Sequence, residues 1–312
     1  MPTPTDRIFG SLIGLVFADA VGSRFEGMTQ EQLRTRYKDE SAAFENALTD
    51  RSLRYTDNGQ MALALAEYLG ESQTVVSDEL MRRFVDAYEP WRGYGRGARV
   101  LIEAFRDNAE YEFMAQHLFP GGSLGNGAAM RSAPVGLRFH GNVERIWREA
   151  KNSAWPTHRH ELGIEGAQLI AAATSFAASE SRIDPAGMAA YLRDLCSTTV
   201  FENRLRRLST IQSDAEIEQF GNGIEAHESV VTALACFTLF PDDYQNAVAT
   251  AIRQGGDTDT IGAMTGALVG AHLGSSFADE LPLERLEDGD GFVAHERKIA
   301  RRLRRLRMRN KG

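Results

Sequence analysis

Two short stretches carry the residues best suited to chemistry. One is Gly255-Gly256-Asp257-Thr258-Asp259-Thr260, the other Thr56-Asp57-Asn58-Gly59. Two carboxylates at i and i+2 do not share a helix face, where neighbours stand three or four residues apart. Asp257 and Asp259 are therefore expected on a turn that opens a helix. Gly255 and Gly256 would give that turn its freedom, and the Asp and Thr side chains would cap free N–H groups. Thr56-Asp57-Asn58 repeats the pattern at a second helix start, on a turn loosened by Gly59. A capped helix with exposed acids is the plain alternative. If the two starts converge, however, the crowded oxygens would repel one another without a cation between them. Oxygen donors of this kind suit a hard ion, so one or two Mg²⁺ or Mn²⁺ are expected, held by Thr56, Asp57, Asp257, Asp259 and Thr260, with Asn58 offering an amide oxygen.

The elements that must position these groups are readable nearby. After Thr260, Gly262, Gly266, Gly270 and Gly274 recur every four residues; Gly10, Gly14, Ala18 and Gly22 do the same near the start. Glycine inside a helix costs roughly 1 kcal/mol relative to alanine and is best explained by a second backbone coming close. The two grooved helices are therefore expected to pack together in the core, with Asp19 inside the first. Further helices are expected at 29–38, 61–69, 75–88, 98–108, 143–152, 161–178, 185–197, 202–212, 224–237 and 244–252, with 39–52 a loop. Hardly any stretch alternates polar and apolar residues over strand length, so the chain reads as all-α. No linker or fixed repeat divides it. Residues 1–296 read as one domain and 297–312 as a basic helix or tail.

Composition narrows the function. The 312 residues are 43% hydrophobic, enough for a large core, and carry a net charge of −8. Nine of the 35 basic residues lie between Arg297 and Lys311, where there is no acid. The segment ARRLRRLRMRNK could serve an anionic surface. Without interleaved aromatics, it reads better as a terminal helix that packs Ile299, Leu303 and Leu306 and turns its arginines to water, which makes nucleic acid an unexpected partner. No run approaches the roughly 18 apolar residues of a membrane helix, and the opening MPTPTDRIFG lacks an apolar leader segment. Cys196 and Cys236 have no metal or disulfide spacing. A cytoplasmic monomer that does not touch membranes is expected.

Several motifs in register resemble one family. Tyr55-Thr56-Asp57-Asn58, Gly122-Ser123-Leu124-Gly125-Asn126-Gly127-Ala128-Ala129-Met130-Arg131, Thr157-His158, Gly221-Asn222-Gly223-Ile224 with Glu228-Ser229, and Gly256-Asp257-Thr258-Asp259-Thr260 are similar to motifs of the ADP-ribosylglycohydrolases. Arg92-Gly93-Tyr94-Gly95 is similar to the branch of ADP-ribosylhydrolase 3. The resemblance runs from about Gly10 to Gly274. It implies a compact, orthogonal multi-helix domain with a dinuclear Mg²⁺ or Mn²⁺ centre below an ADP-ribose cleft. It also implies hydrolysis at the anomeric carbon of the distal ribose. By the same resemblance Glu26 is the catalytic glutamate, on a mobile loop, with Asp57 beside it at the metals. Gly122, Ser123, Leu124, Gly125, Asn126 and His158 are the ligand-binding positions, with the glycine loop suited to a diphosphate.

Two departures stand out. Asn58 and Gly59 replace an aspartate and a threonine, removing one ligand charge. Leu124 replaces an aromatic near adenine, a loss that Phe119 or Phe25 would have to offset. Serine-linked or O-acetyl ADP-ribose fits the branch, ahead of arginine-linked ADP-ribose. A catalytically weakened ADP-ribose-binding or immunity protein is the alternative that Asn58 raises.

Overall fold

The computed structural model describes residues 2–37, 39, 41–287 and 289–309, so the ends of the expected 29–38 helix and of the basic tail lie outside the described residues. Sixteen α-helices and four short 3-10 turns make up its regular structure, and no strand occurs among the described residues. The first seven helices are α1 (Pro4–Gly22), α2 (Gln30–Arg36), α3 (Ala42–Ala47), α4 (Asp57–Leu69), α5 (Ser77–Ala87), α6 (Arg96–Arg106) and α7 (Tyr111–His117). After a 3-10 turn at Asn126–Ala128 come α8 (Ala133–Arg138), α9 (Val143–Ala154), α10 (Glu161–Ala177), α11 (Pro185–Leu195) and α12 (Thr199–Leu208). The last four are α13 (Ala226–Leu239), α14 (Tyr244–Arg253), α15 (Thr258–Leu273) and α16 (Gly289–Arg309). All-α is thus the fold class, as expected.

The sequence says which helices belong inside. α1, α10, α13 and α15 are apolar all round, the pattern of a helix with no solvent face, and nearly every residue in them is buried. α15 is the axis of the molecule and packs against α1, α10, α13 and α14. Its contact with α1 is backbone against backbone. A Cβ added at Gly266 would lie 2.2 Å from the Gly14 carbonyl oxygen, and one at Gly270 would lie 2.0 Å from that of Gly10. Neither separation is physically possible, so only glycine fits. The Tyr244 hydroxyl donates to the Gly14 carbonyl at 2.7 Å and Thr258 Oγ1 to Gly22 at 2.9 Å, which fixes the register.

Three local expectations need correction. Residues 39–52 are not all loop, because Ala43, Phe44 and Ala47 bury one face of α3. α7 and α8 were not anticipated; each is too short to show a helical period, and α8 carries Pro134 in its first turn. Gly59 does not loosen a turn. It lies inside α4, where a Cβ would come 2.8 Å from the Tyr55 ring and 3.0 Å from Asp19 Oδ2. α16 buries Ile299, Ala300 and Leu303 and leaves Leu306 half-buried. Arg297 stacks over the Phe9 ring at 4.2 Å, while Arg302 pairs with Glu71 at 3.3 Å.

Candidate active site

α1, α4 and α15 meet at one end with their acids together. Asp19, near the end of α1, is fully buried. Its carboxylate accepts from the Thr56 N–H at 2.9 Å, the Thr56 hydroxyl at 2.7 Å, the Gly59 N–H at 2.8 Å and Asn58 Nδ2 at 3.2 Å. A single carboxylate thus pins the start of α4 to α1. Asp19 was not singled out from sequence as a site residue, although a carboxylate in an otherwise apolar helix was the available signal. Thr56 is the N-cap of α4 and accepts from the Asn58 N–H.

Asp257 is the N-cap of α15, and Asp259 and Thr260 stand in its first turn. The Asp257 side chain does not cap the helix as expected. Its Oδ2 accepts from Asn126 Nδ2 at 2.5 Å, and Asn126 Nδ2 also donates to Ser229 Oγ at 3.0 Å. Gly255 and Gly256 have φ of +68° and +67°. They bring the loop after α1 alongside: Gly27 N–H donates to the Gly256 carbonyl and Gly256 N–H to that of Met28, both at 2.8 Å. A Cβ at Gly255 would strike Met28 O at 2.6 Å. Phe25 anchors the same loop by an edge contact to Tyr37. Glu26 is consequently carried beside the α15 acids, although it is about 230 residues away in sequence.

Ligand oxygens of Glu26, Asp257 and Asp259 all lie within 4.8 Å of one another. The crowding shows in their affinity for protons. Burial, then the charges of Asp19, Asp257 and Glu26, push Asp57 up to about 7. Asp19 rises to about 6, chiefly through burial, against the pull of its hydrogen bonds. Burial and then Asp257 raise Asp259 well above the usual carboxylate range and Glu26 more modestly. Such a set is incompatible with full ionisation unless a positive charge stands among it. Oxygen-only donors at this spacing fit a hard divalent cation.

Asn58 places a neutral N–H donor among these acids. It is buried, and its Nδ2 lies 3.2 Å from Asp19 Oδ1, 3.1 Å from Asp259 Oδ2 and 2.9 Å from Thr56 Oγ1. Its Oδ1 accepts from the Thr260 hydroxyl at 3.1 Å. With the acids ionised, this orientation satisfies both carboxylates and the Thr260 hydroxyl at once, whereas the reversed amide would turn its oxygen toward Asp19 and Asp259.

These groups floor a cavity of about 340 Å³. Of the residues expected at the site, Glu26, Asp57, Asn58, Ser123, Gly125, Asn126, His158, Asp257, Asp259 and Thr260 line it. Thr56 lies beneath the floor on Asp19. Gly122 and Leu124 stand behind the wall; Gly122 packs on the His160 backbone, and the Leu124 carbonyl accepts from Ala226 N–H. The pairing of residues 124–126 with 224–226 stitches the glycine loop to the Gly221–Ile224 segment. Opposite, Arg92 donates to the Tyr55 carbonyl at 2.7 Å and receives the Asp57 N–H on its own carbonyl at 2.8 Å, so Gly93–Gly97 reach the rim. Phe119 also lines the cavity, whereas Phe25 faces the core and is no substitute for the aromatic missing at Leu124. The sequence reading did not assign Arg131, Thr157 or Ile224 to the cavity.

Comparison with known proteins identifies the family. The profile of the ADP-ribosylglycohydrolase family matches residues 1–311. The chain belongs to the ADP-ribosylglycohydrolase family. It is 31% identical to ADP-ribosylhydrolase ARH3 of Danio rerio, over 95% of this chain and 90% of that one. Its identity to ADP-ribosylhydrolase ARH3 of Homo sapiens is 30%, over 92% and 90%. A solved structure described as an ADP-ribosylglycohydrolase-related protein complex aligns over 97% of this chain and 99% of its own, with a TM-score of 0.62 at 22% identity, a likeness of fold. As a family member the protein is an ADP-ribosyl hydrolase. Among the described residues no helix is long and apolar enough to cross a membrane.

Proposed function

We propose that the protein is a metal-dependent hydrolase that breaks the glycosidic bond at the anomeric carbon of the distal ribose in ADP-ribose conjugates, reversing ADP-ribosylation of a protein side chain. The observation that carries this reading is the convergence of Glu26, Asp57, Asp257 and Asp259 on the floor of one cavity. Asp57, Asp257, Asp259, Thr260 and the Asn58 carbonyl are the residues that would hold two Mg²⁺ or Mn²⁺, with Thr56 behind them and Glu26 at their edge. Bound there, the ions would supply Lewis-acid polarisation and an activated water.

The protein's own residues account for the rest. Glu26 sits at the exposed edge of the acid group, where its carboxylate can move a proton at the reacting bond. Neighbouring carboxylates favour the positive charge that develops on the ribose as the bond breaks. Ser123, Gly125 and Asn126 face the cavity from the loop suited to a diphosphate, and Phe119 offers the ring against which adenine can stack.

Similarity to proteins named ADP-ribosylhydrolase ARH3, together with Gly93 and Gly95 at the rim, favours serine-linked or O-acetyl ADP-ribose over the arginine linkage. A weakened hydrolase that chiefly binds ADP-ribose is the second reading, and it rests on the Asn58 amide bridging Asp19 and Asp259. The test is parallel turnover of seryl-, arginyl- and O-acetyl-ADP-ribose in Mg²⁺ or Mn²⁺, with calorimetric binding of free ADP-ribose. Fastest release from the seryl or O-acetyl substrate supports the proposal. Binding without release from any of them would replace it with the second reading.

A further inference from the structure

We propose that Arg131 and Thr157 are positioning residues that hold His158 as the neutral tautomer protonated on Nε2, so that it presents one fixed N–H donor to the cavity. Arg131 is fully buried and makes no ion pair with an acid among the described residues. Its guanidinium lies over the Phe84 ring at 4.8 Å and donates from Nη1 to the Gly127 carbonyl at 2.8 Å. From Nη2 it donates to the Ser153 carbonyl at 3.0 Å and to Thr157 Oγ1 at 2.8 Å.

Thr157 Oγ1 in turn lies 2.7 Å from His158 Nδ1. A guanidinium has donors only, so the threonine oxygen must accept from it. The hydroxyl proton is then left to one neighbour, His158 Nδ1, which must be the acceptor. Were Nδ1 protonated instead, the buried hydroxyl proton would have no acceptor among its described contacts. Burial and the adjacent Arg131 charge also push the His158 ring down to about 3, so the doubly protonated form is disfavoured. The remaining proton sits on Nε2, which has no hydrogen-bond partner among the described residues and is not sealed from solvent. Added Cβ atoms at Gly125 and Gly127 would come 3.6 and 3.3 Å from Nε2, so both glycines leave room around it.

This inference rests on the ADP-ribose reading only for the ligand, whose diphosphate oxygens are the acceptors such a donor would meet. The experiment uses the full chain with ¹⁵N-histidine labelling. Two-bond ¹⁵N–¹H spectra at neutral pH report the His158 tautomer, with His158→Gln used for assignment. The expected result is a neutral Nε2–H ring in the parent and a changed or mixed tautomer in Thr157→Val. ADP-ribose affinity should fall about 10-fold in Thr157→Val, as for loss of one hydrogen bond to a charged group. Thr157→Ser, which keeps the hydroxyl, should restore both. An Nδ1–H or doubly protonated ring in the parent would overturn the proposal whether or not ADP-ribose binds. An Nε2–H ring in a protein that does not bind ADP-ribose would leave the relay standing and remove the ligand assignment.

Discussion

Asn58 is where this chain's site departs most from a set of plain carboxylates, and its surroundings say what the exchange does. An amide nitrogen between Asp19 and Asp259 relieves part of the repulsion that a cation would otherwise relieve. Asn58→Asp removes that donor and adds a charge. In chelator the variant should melt below the parent, and on adding Mg²⁺ it should gain more in Tm and bind metal more tightly, with faster hydrolysis at limiting Mg²⁺. Equal metal affinity and equal rates in the two proteins would remove Asn58 as the limiting ligand. Glu26 is separable from this. Glu26→Gln should lower kcat by on the order of 10²-fold with ADP-ribose affinity near that of the parent, read by steady-state kinetics beside calorimetry. Asp257 and Asp259 were legible in the sequence because their spacing forbids a shared helix face. Asp19 was not, because nothing local in a buried helix says which distant backbone its carboxylate will meet.

At the scale of the helix, the site depends on how closely α1 and α15 approach. Their four-residue glycine spacing was readable, and the contact geometry bears it out at Gly10, Gly14, Gly266 and Gly270. Gly266→Leu should destabilise by more than the usual 1–3 kcal/mol of overpacking, since the new side chain meets the Gly14 carbonyl rather than a movable side chain. Gly291→Ala, in α16 with open space at its Cβ, is the control and should unfold at or slightly above the parent in urea. A parent-like midpoint for Gly266→Leu would refute the close-packing argument. The short helices α3, α7 and α8 escaped the sequence reading because six or seven residues show too little periodicity to distinguish a helix from a turn. The pairing of Gly256 with the Glu26 loop escaped it for another reason: backbone hydrogen bonds carry no side-chain signal.

The whole molecule folds one helix array around α15, so stability and site chemistry share the same groups. Beyond the site, Glu296 on α16 is fully buried and neither carboxylate oxygen has a partner among the described residues. Burial, then the nearby charge of Glu67, raises its affinity for protons well above the usual carboxylate range. A group whose folded pKa is raised contributes stability that is fully present below its unfolded pKa, near 4.5, and lost as pH rises toward the folded value. The parent should therefore weaken as pH climbs above about 4.5 on this account, and Glu296→Gln should flatten that slope. Urea titrations of both proteins across pH 4.5–8 measure it, and identical slopes would exclude Glu296 as the source.

On the function proposed, the acids gathered by α1, α4 and α15 beside the Glu26 loop form a metal centre that hydrolyses ADP-ribose linkages. That function is tested most directly by following ADP-ribose release from a serine-ADP-ribosylated peptide with Mg²⁺, after chelation and after Mg²⁺ is restored, in the parent and in Asp257→Asn. Release that stops on chelation, returns with Mg²⁺ and is lost in the variant is the predicted result. Release that continues in chelator, or that is undiminished in Asp257→Asn, would contradict the account.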